Sequence, residues 1–112
     1  MSTDQKLDAV FKALANPVRR QICDELKLRP LTTQQLIDSF SDLDRCTVMQ
    51  HLGVLERAGL VVAVRKGRER FNYLDAMPIQ AIHARWIGPM AEHAAGRLLQ
   101  LKRELEKENQ PS

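Results

Sequence analysis

The chain of 112 residues carries 17 Lys and Arg against 14 Asp and Glu, a net charge of +3, with 44% hydrophobic residues. That is one domain's worth of sequence with enough apolar content for a core, and so small a cationic excess makes the clustering of charge more informative than its sum. Two isolated cysteines exclude a disulfide framework, and no apolar run approaches the roughly 18 residues of a membrane span. The start MSTDQKLDAVF lacks the n-region and h-region of a signal peptide, so the expected compartment is the cytoplasm, with both thiols reduced. Surface-to-volume scaling gives a chain this short modest stability alone, which makes burial against a second copy a natural supplement.

In chain order, Leu7, Val10, Phe11 and Leu14 recur at i, i+3, i+4 and i+7, which predicts an amphipathic helix over about 4–15. Asn16-Pro17 restarts the chain as N-cap and first helical residue, and a second helix follows over about 17–27 with Val18, Ile22 and Leu26 inward. Pro30 stops it. Thr32 and Gln35 have capping-box spacing and open a short third helix with Leu36, Ile37 and Phe40. Ser41, Asp42 and Asp44 are cap and turn residues around an apolar plug, Leu43.

The fourth helix is predicted over about 44–58, with Val48, Leu52 and Leu55 on the buried stripe and Gly59 as its stop. The period then changes. LVVAVR, the Lys66-Gly67 turn and ERFNYL predict a two-stranded hairpin over about 60–65 and 68–74, with Phe71 and Tyr73 on one face and Arg70 and Asn72 on the other. From Pro78 the sequence is helical to about residue 107, interrupted at Gly88-Pro89 by either a kink or a junction of two helices. Ile87, Ala91, Ala94, Leu98, Leu101 and Leu105 alternate four and three apart, an a/d seam preceded by Trp86. No later segment covers that seam, so a second protomer is expected on it. The expected organisation is a single domain over 1–108 with a disordered tail over 109–112, mainly α with a small β-hairpin.

Arg65, Lys66, Arg68 and Arg70 crowd around Gly67 with only Glu69 against them, a local net charge equal to that of the whole chain. A basic loop beside an exposed helix face suits a DNA duplex: cations neutralise phosphates while the helix meets base edges. FKALANPVRRQI, TVMQHLGVLERAGLV and RKGRERFNYL, in that order, resemble the winged helix-turn-helix transcriptional repressors of the arsenical-resistance regulator (ArsR) family. The resemblance covers residues 7–74 well and the final helix more loosely.

That resemblance implies a homodimer joined through the first and last helices, here Leu7 and Phe11 together with the seam. It also implies a fourth helix in the major groove of double-stranded DNA and a hairpin wing beside the backbone. It assigns base-edge or nearby contacts to Arg45, Cys46, Met49 and Gln50, and phosphate contacts to Thr47 and Thr33. Arg suits guanine and Gln suits adenine, while Met49 and Cys46 depart from the small hydroxyl residues common there and suit an apolar contact such as a thymine methyl. Two-fold pairing implies an imperfectly palindromic operator, its half-sites about 10–10.5 bp apart or a multiple of that.

No metal-sensing pattern of the family is present: Cys23 and Cys46 fall on different helices, and His83 and His93 are about 280° apart round a straight helix. His51 reads as a packing histidine. No metal, cofactor or catalytic residue is therefore expected, and no phosphate loop, nucleophile elbow or paired-carboxylate signal points to an enzyme. The competing readings are a winged-helix module that binds protein, and a redox- or metal-responsive sensor variant of the same repressor, in which Cys46, in the first turn of its helix, would be the group that responds to oxidation. The effector is not specified by the sequence.

Overall fold

A computed structural model describes residues 2–88 and 91–109. Two compact units divide the chain, residues 1–79 and 80–112. In the first, helix α1 (Thr3–Leu14) opens on a capping box: the Gln5 N–H donates to the Ser2 hydroxyl, and the Gln5 side chain accepts from the Ser2 N–H. Helix α2 (Pro17–Leu26) starts as the sequence predicts, with the Asn16 side chain accepting from the N–H groups of Val18 and Arg19. The two arginines of NPVRR then turn back on the preceding helix. Arg19 donates to the Ala13 and Lys12 carbonyls and Arg20 to that of Leu14, so α2 supplies the C-terminal cap of α1.

A two-residue strand, β1 (Leu31–Thr32), precedes helix α3 (Thr33–Ser39) and is not foreseen by the sequence, because so short a strand has no readable alternation. Thr32 closes the predicted capping box with Gln35. Helix α4 (Arg45–Arg57) ends in a full Schellman motif. The Leu60 N–H bonds the Leu55 carbonyl at 2.9 Å, and the Gly59 N–H bonds that of Glu56 at 3.0 Å. Gly59 takes φ 79, a left-handed value costly for any residue with a Cβ.

Strands β2 (Val61–Lys66) and β3 (Glu69–Leu74) form the predicted hairpin, with Gly67 at φ 64 in the turn. Strand β3 is central, in the order β1-β3-β2, and all pairing is antiparallel. The core joins Val10, Ile22, Leu26, Leu36, Phe40, Val48, Leu52, Leu55, Leu60 and Val61, all less than a tenth exposed.

The hairpin packs with its more polar face inward. Asn72 is wholly buried, whereas Val62 and Val64 are 48% and 40% exposed opposite Tyr73 and Phe71 on the outer face. Long-range hydrogen bonds offset part of the cost of this inversion: the Asn72 amide donates to the Leu31 carbonyl at 3.2 Å and to the Thr33 hydroxyl at 3.0 Å, while its Oδ1 is buried without a hydrogen-bond partner among the described residues.

Helix α5 (Met77–Trp86) and helix α6 (Ala91–Asn109) flank Gly88-Pro89, and the choice there between a kink and a junction falls on Pro89, which lies outside the described residues. Asn109, expected in the tail, is the last residue of α6, and the rest of that tail, 110–112, also lies outside them. Along the seam, Ile87, Leu98, Leu101 and Leu105 are each about half exposed. On α1, Leu7 is half-buried and Phe11 is exposed, while Val10 and Ala13 face the core. No helix among the described residues is long and apolar enough to cross a membrane.

Candidate nucleic-acid interface

Helices α3 and α4 are joined by a tight turn in which the Leu43 N–H bonds the Phe40 carbonyl at 3.0 Å. Asp44 then caps α4. Its carboxylate accepts from the Thr47 N–H at 2.7 Å, and hydrogen bonds from Thr47 hold its pKa below the ordinary carboxylate range. Val48, Leu52 and Leu55 anchor the inner face of α4, each at most 2% exposed. This leaves Arg45, Cys46, Met49 and Gln50 exposed and Thr47 half-buried, the 3.6-residue period separating anchor from outer face.

Between that outer face, the start of α3 and the hairpin lies an open cleft of about 340 Å³. It brings together six of the residues predicted from sequence: Thr33, Arg45, Met49, Arg65, Arg68 and Arg70. Cys46, Thr47 and Gln50 of α4 stand outside its lining, and so does Lys66 of β2.

The four cations of the hairpin therefore have different surroundings. Arg65 and Arg68 are exposed in the cleft. Arg70 is partly buried in an ion pair with Glu56 of α4, which ties the hairpin to that helix and offsets its charge. Lys66 lies over the outer apolar face, its Nζ 5.4 Å from the Phe71 ring centre and donating to the Tyr73 hydroxyl at 3.2 Å. A run that reads as one basic patch is split because alternate strand residues point to opposite faces.

Two features of the cleft have no simple sequence signal. Arg45 donates to the side-chain oxygen of Gln34 at 3.1 Å, and the Gln34 amide donates to Asp38 at 2.9 Å. The second pair is legible as an i, i+4 spacing on a helix, but the first bridges eleven residues and depends on the turn. Thr33, whose hydroxyl accepts from buried Asn72, keeps its own proton available to donate into the cleft.

His51 sits behind this surface, its Nδ1 3.2 Å from the Arg19 guanidinium. Since Arg only donates, Nδ1 is the acceptor and the ring is neutral; burial first, then the Arg19 charge, push its pKa below the usual histidine value. Burial raises the pKa of the Cys23 thiol, with Asp24 adding to the effect, whereas Cys46 is exposed. Among the described residues, no group of three His, Cys, Asp or Glu side chains is placed to hold a metal ion.

A short helix, a tight turn, a second helix with an exposed face and an adjoining basic hairpin define a winged helix-turn-helix module. The helix-turn-helix domain family matches residues 14–64. YuzN of Bacillus subtilis, a helix-turn-helix-type transcriptional regulator, is 41% identical over 86 residues, covering 71% of this chain and 94% of its own. The transcriptional repressor SdpR of the same organism is 30% identical over 74 residues, 66% of this chain and 81% of its own. The crystal structure of an ArsR family transcriptional regulator superposes with a TM-score of 0.68 at 26% identity, over 97% of this chain and 98% of that one. The chain belongs to the ArsR family of winged helix-turn-helix transcriptional regulators.

Proposed function

We propose that the protein is a homodimeric repressor that binds an imperfectly palindromic operator in double-stranded DNA. Each protomer sets the outer face of α4 in a major groove and its hairpin beside the sugar-phosphate backbone. The observation that carries this reading is the cleft in which Arg45 and Met49 of α4 stand with Thr33 of α3 and with Arg65 and Arg68 of the wing. Base-edge groups and phosphate-neutralising groups are there side by side, as duplex recognition requires. Repression follows from occlusion of a promoter and agrees with similarity to a repressor, SdpR. The half-exposed leucines of α6 support self-association, which also brings two reading helices to two half-sites.

Selection of bound fragments from a pool of genomic DNA by the full chain tests this. It should recover fragments sharing a palindrome with half-sites about 10–10.5 bp apart or a multiple of that, and sedimentation should give a dimer at micromolar concentration. A monomer, or a pool with no shared sequence, contradicts the reading. The outer face of the hairpin, with Val62 and Val64 exposed beside Phe71 and Tyr73, favours a second reading, a module that binds protein. Sequence-selective duplex binding decides against it.

A further inference from the structure

We infer that Gln34, oriented by Asp38, is a positioning residue that presets Arg45 to read a guanine; the inference rests on the DNA-binding reading above. Arg45 is the first residue of α4 and its side chain is exposed. An exposed arginine in that place samples many rotamers, and freezing it on the DNA weakens binding by roughly two- to tenfold. Here the guanidinium donates to Gln34 Oε1 at 3.1 Å, which holds it over the cleft before any duplex arrives.

The direction of the Gln34 amide is settled by chemistry. Arginine only donates and an ionised aspartate only accepts, so only one amide orientation serves both neighbours: Oε1 toward Arg45 and Nε2 toward Asp38. Asp38 selects that orientation, with its acceptor at 2.9 Å from Nε2. An amide between the two orients the guanidinium without setting a carboxylate against it. One of the five donors of Arg45 is used, and the rest stay available for the paired acceptors O6 and N7 of guanine. Gln34 is thus a specificity-determining residue that need not touch DNA.

Selection from a randomised duplex library, with the full chain and its variants, separates this role from a general structural one. The wild-type protein should enrich half-sites with a guanine position that Arg45→Ala abolishes. Gln34→Ala should relax the preference at that same position by roughly two- to tenfold, leaving the other positions and the affinity for unrelated duplex unchanged. Asp38→Ala should follow Gln34→Ala. Asp38→Asn, which still offers an acceptor oxygen, should retain most of the preference. An unaltered guanine preference in Gln34→Ala, an equal relaxation at every position, or a guanine position indifferent to Arg45→Ala overturns the inference while leaving DNA binding intact. A wild-type protein that binds no duplex overturns the DNA-binding reading itself.

Discussion

Asn72 is wholly buried in the central strand β3, and its amide ties that strand to Leu31 of β1 and to Thr33 at the start of α3. Replacing it with alanine removes two hydrogen bonds, each worth about 0.5–1.5 kcal/mol net, and leaves a small cavity worth about 1 kcal/mol more. The expected loss is about 2–4 kcal/mol against a total stability of about 5–15 kcal/mol for a domain of this size. At about 4 °C per kcal/mol, the melting temperature should fall by about 8–16 °C.

Asn72→Asp should be worse still at neutral pH. It sets a carboxylate against the Leu31 carbonyl, with only the Thr33 hydroxyl able to turn and donate to it, and it buries a charge. Its buried carboxyl would have a raised pKa, so the folded state binds more protons and the deficit should shrink as pH falls toward the alanine value. Urea unfolding followed by circular dichroism at pH 7 and pH 5 measures both variants. An alanine variant within about 0.5 kcal/mol of wild type, or an aspartate variant no less stable than alanine at pH 7, would refute the reasoning.

The unequal surroundings of the hairpin cations predict unequal effects on DNA affinity. Arg68→Ala, in the cleft, should lower the slope of log affinity against log salt by about 1, while Lys66→Ala, lying on the outer face, should change it less. Reversed effects would contradict the split. His51 has a depressed folded pKa, so the unfolded chain binds more protons and stability is lost as pH falls below the ordinary histidine value near 6.5. Thermal unfolding between pH 7.5 and 5 should show a steeper fall for wild type than for His51→Gln; parallel curves count against it. In a thiol titration with Ellman's reagent, exposed Cys46 should react in the native protein and buried Cys23 only after unfolding. Equal native reactivity would be inconsistent with the packing of α2.

Much of the fold is legible in the sequence because local chemistry sets its boundaries. Asn16-Pro17, Thr32 with Gln35, Asp44 and Gly59 act within a turn of their own helix, and the observed ends fall within about a residue or two of the predicted ones. What is not legible depends on partners far along the chain. Asn72 meets Leu31 across 41 residues and Thr33 across 39, so its burial has no local signature and the inward turn of the polar hairpin face goes unannounced. The same holds for the candidate site. The spacing of RKGRER makes a basic patch visible, but only the packing of the hairpin against α4 pairs Arg70 with Glu56, and only the strand pleat lays Lys66 over Phe71 and Tyr73. At Arg45, an exposed polar residue is evident from periodicity, whereas its hold on Gln34 requires the turn that brings α3 beside it.

The central claim is tested most directly by fluorescence anisotropy of a labelled duplex recovered by selection, titrated with the full chain between 50 and 200 mM salt. With roughly 6–10 phosphates contacted per dimer, affinity should fall by about 10³–10⁵-fold over that range, a slope of about −5 to −9. A slope near zero, or no binding to any duplex at the lowest salt, would contradict it.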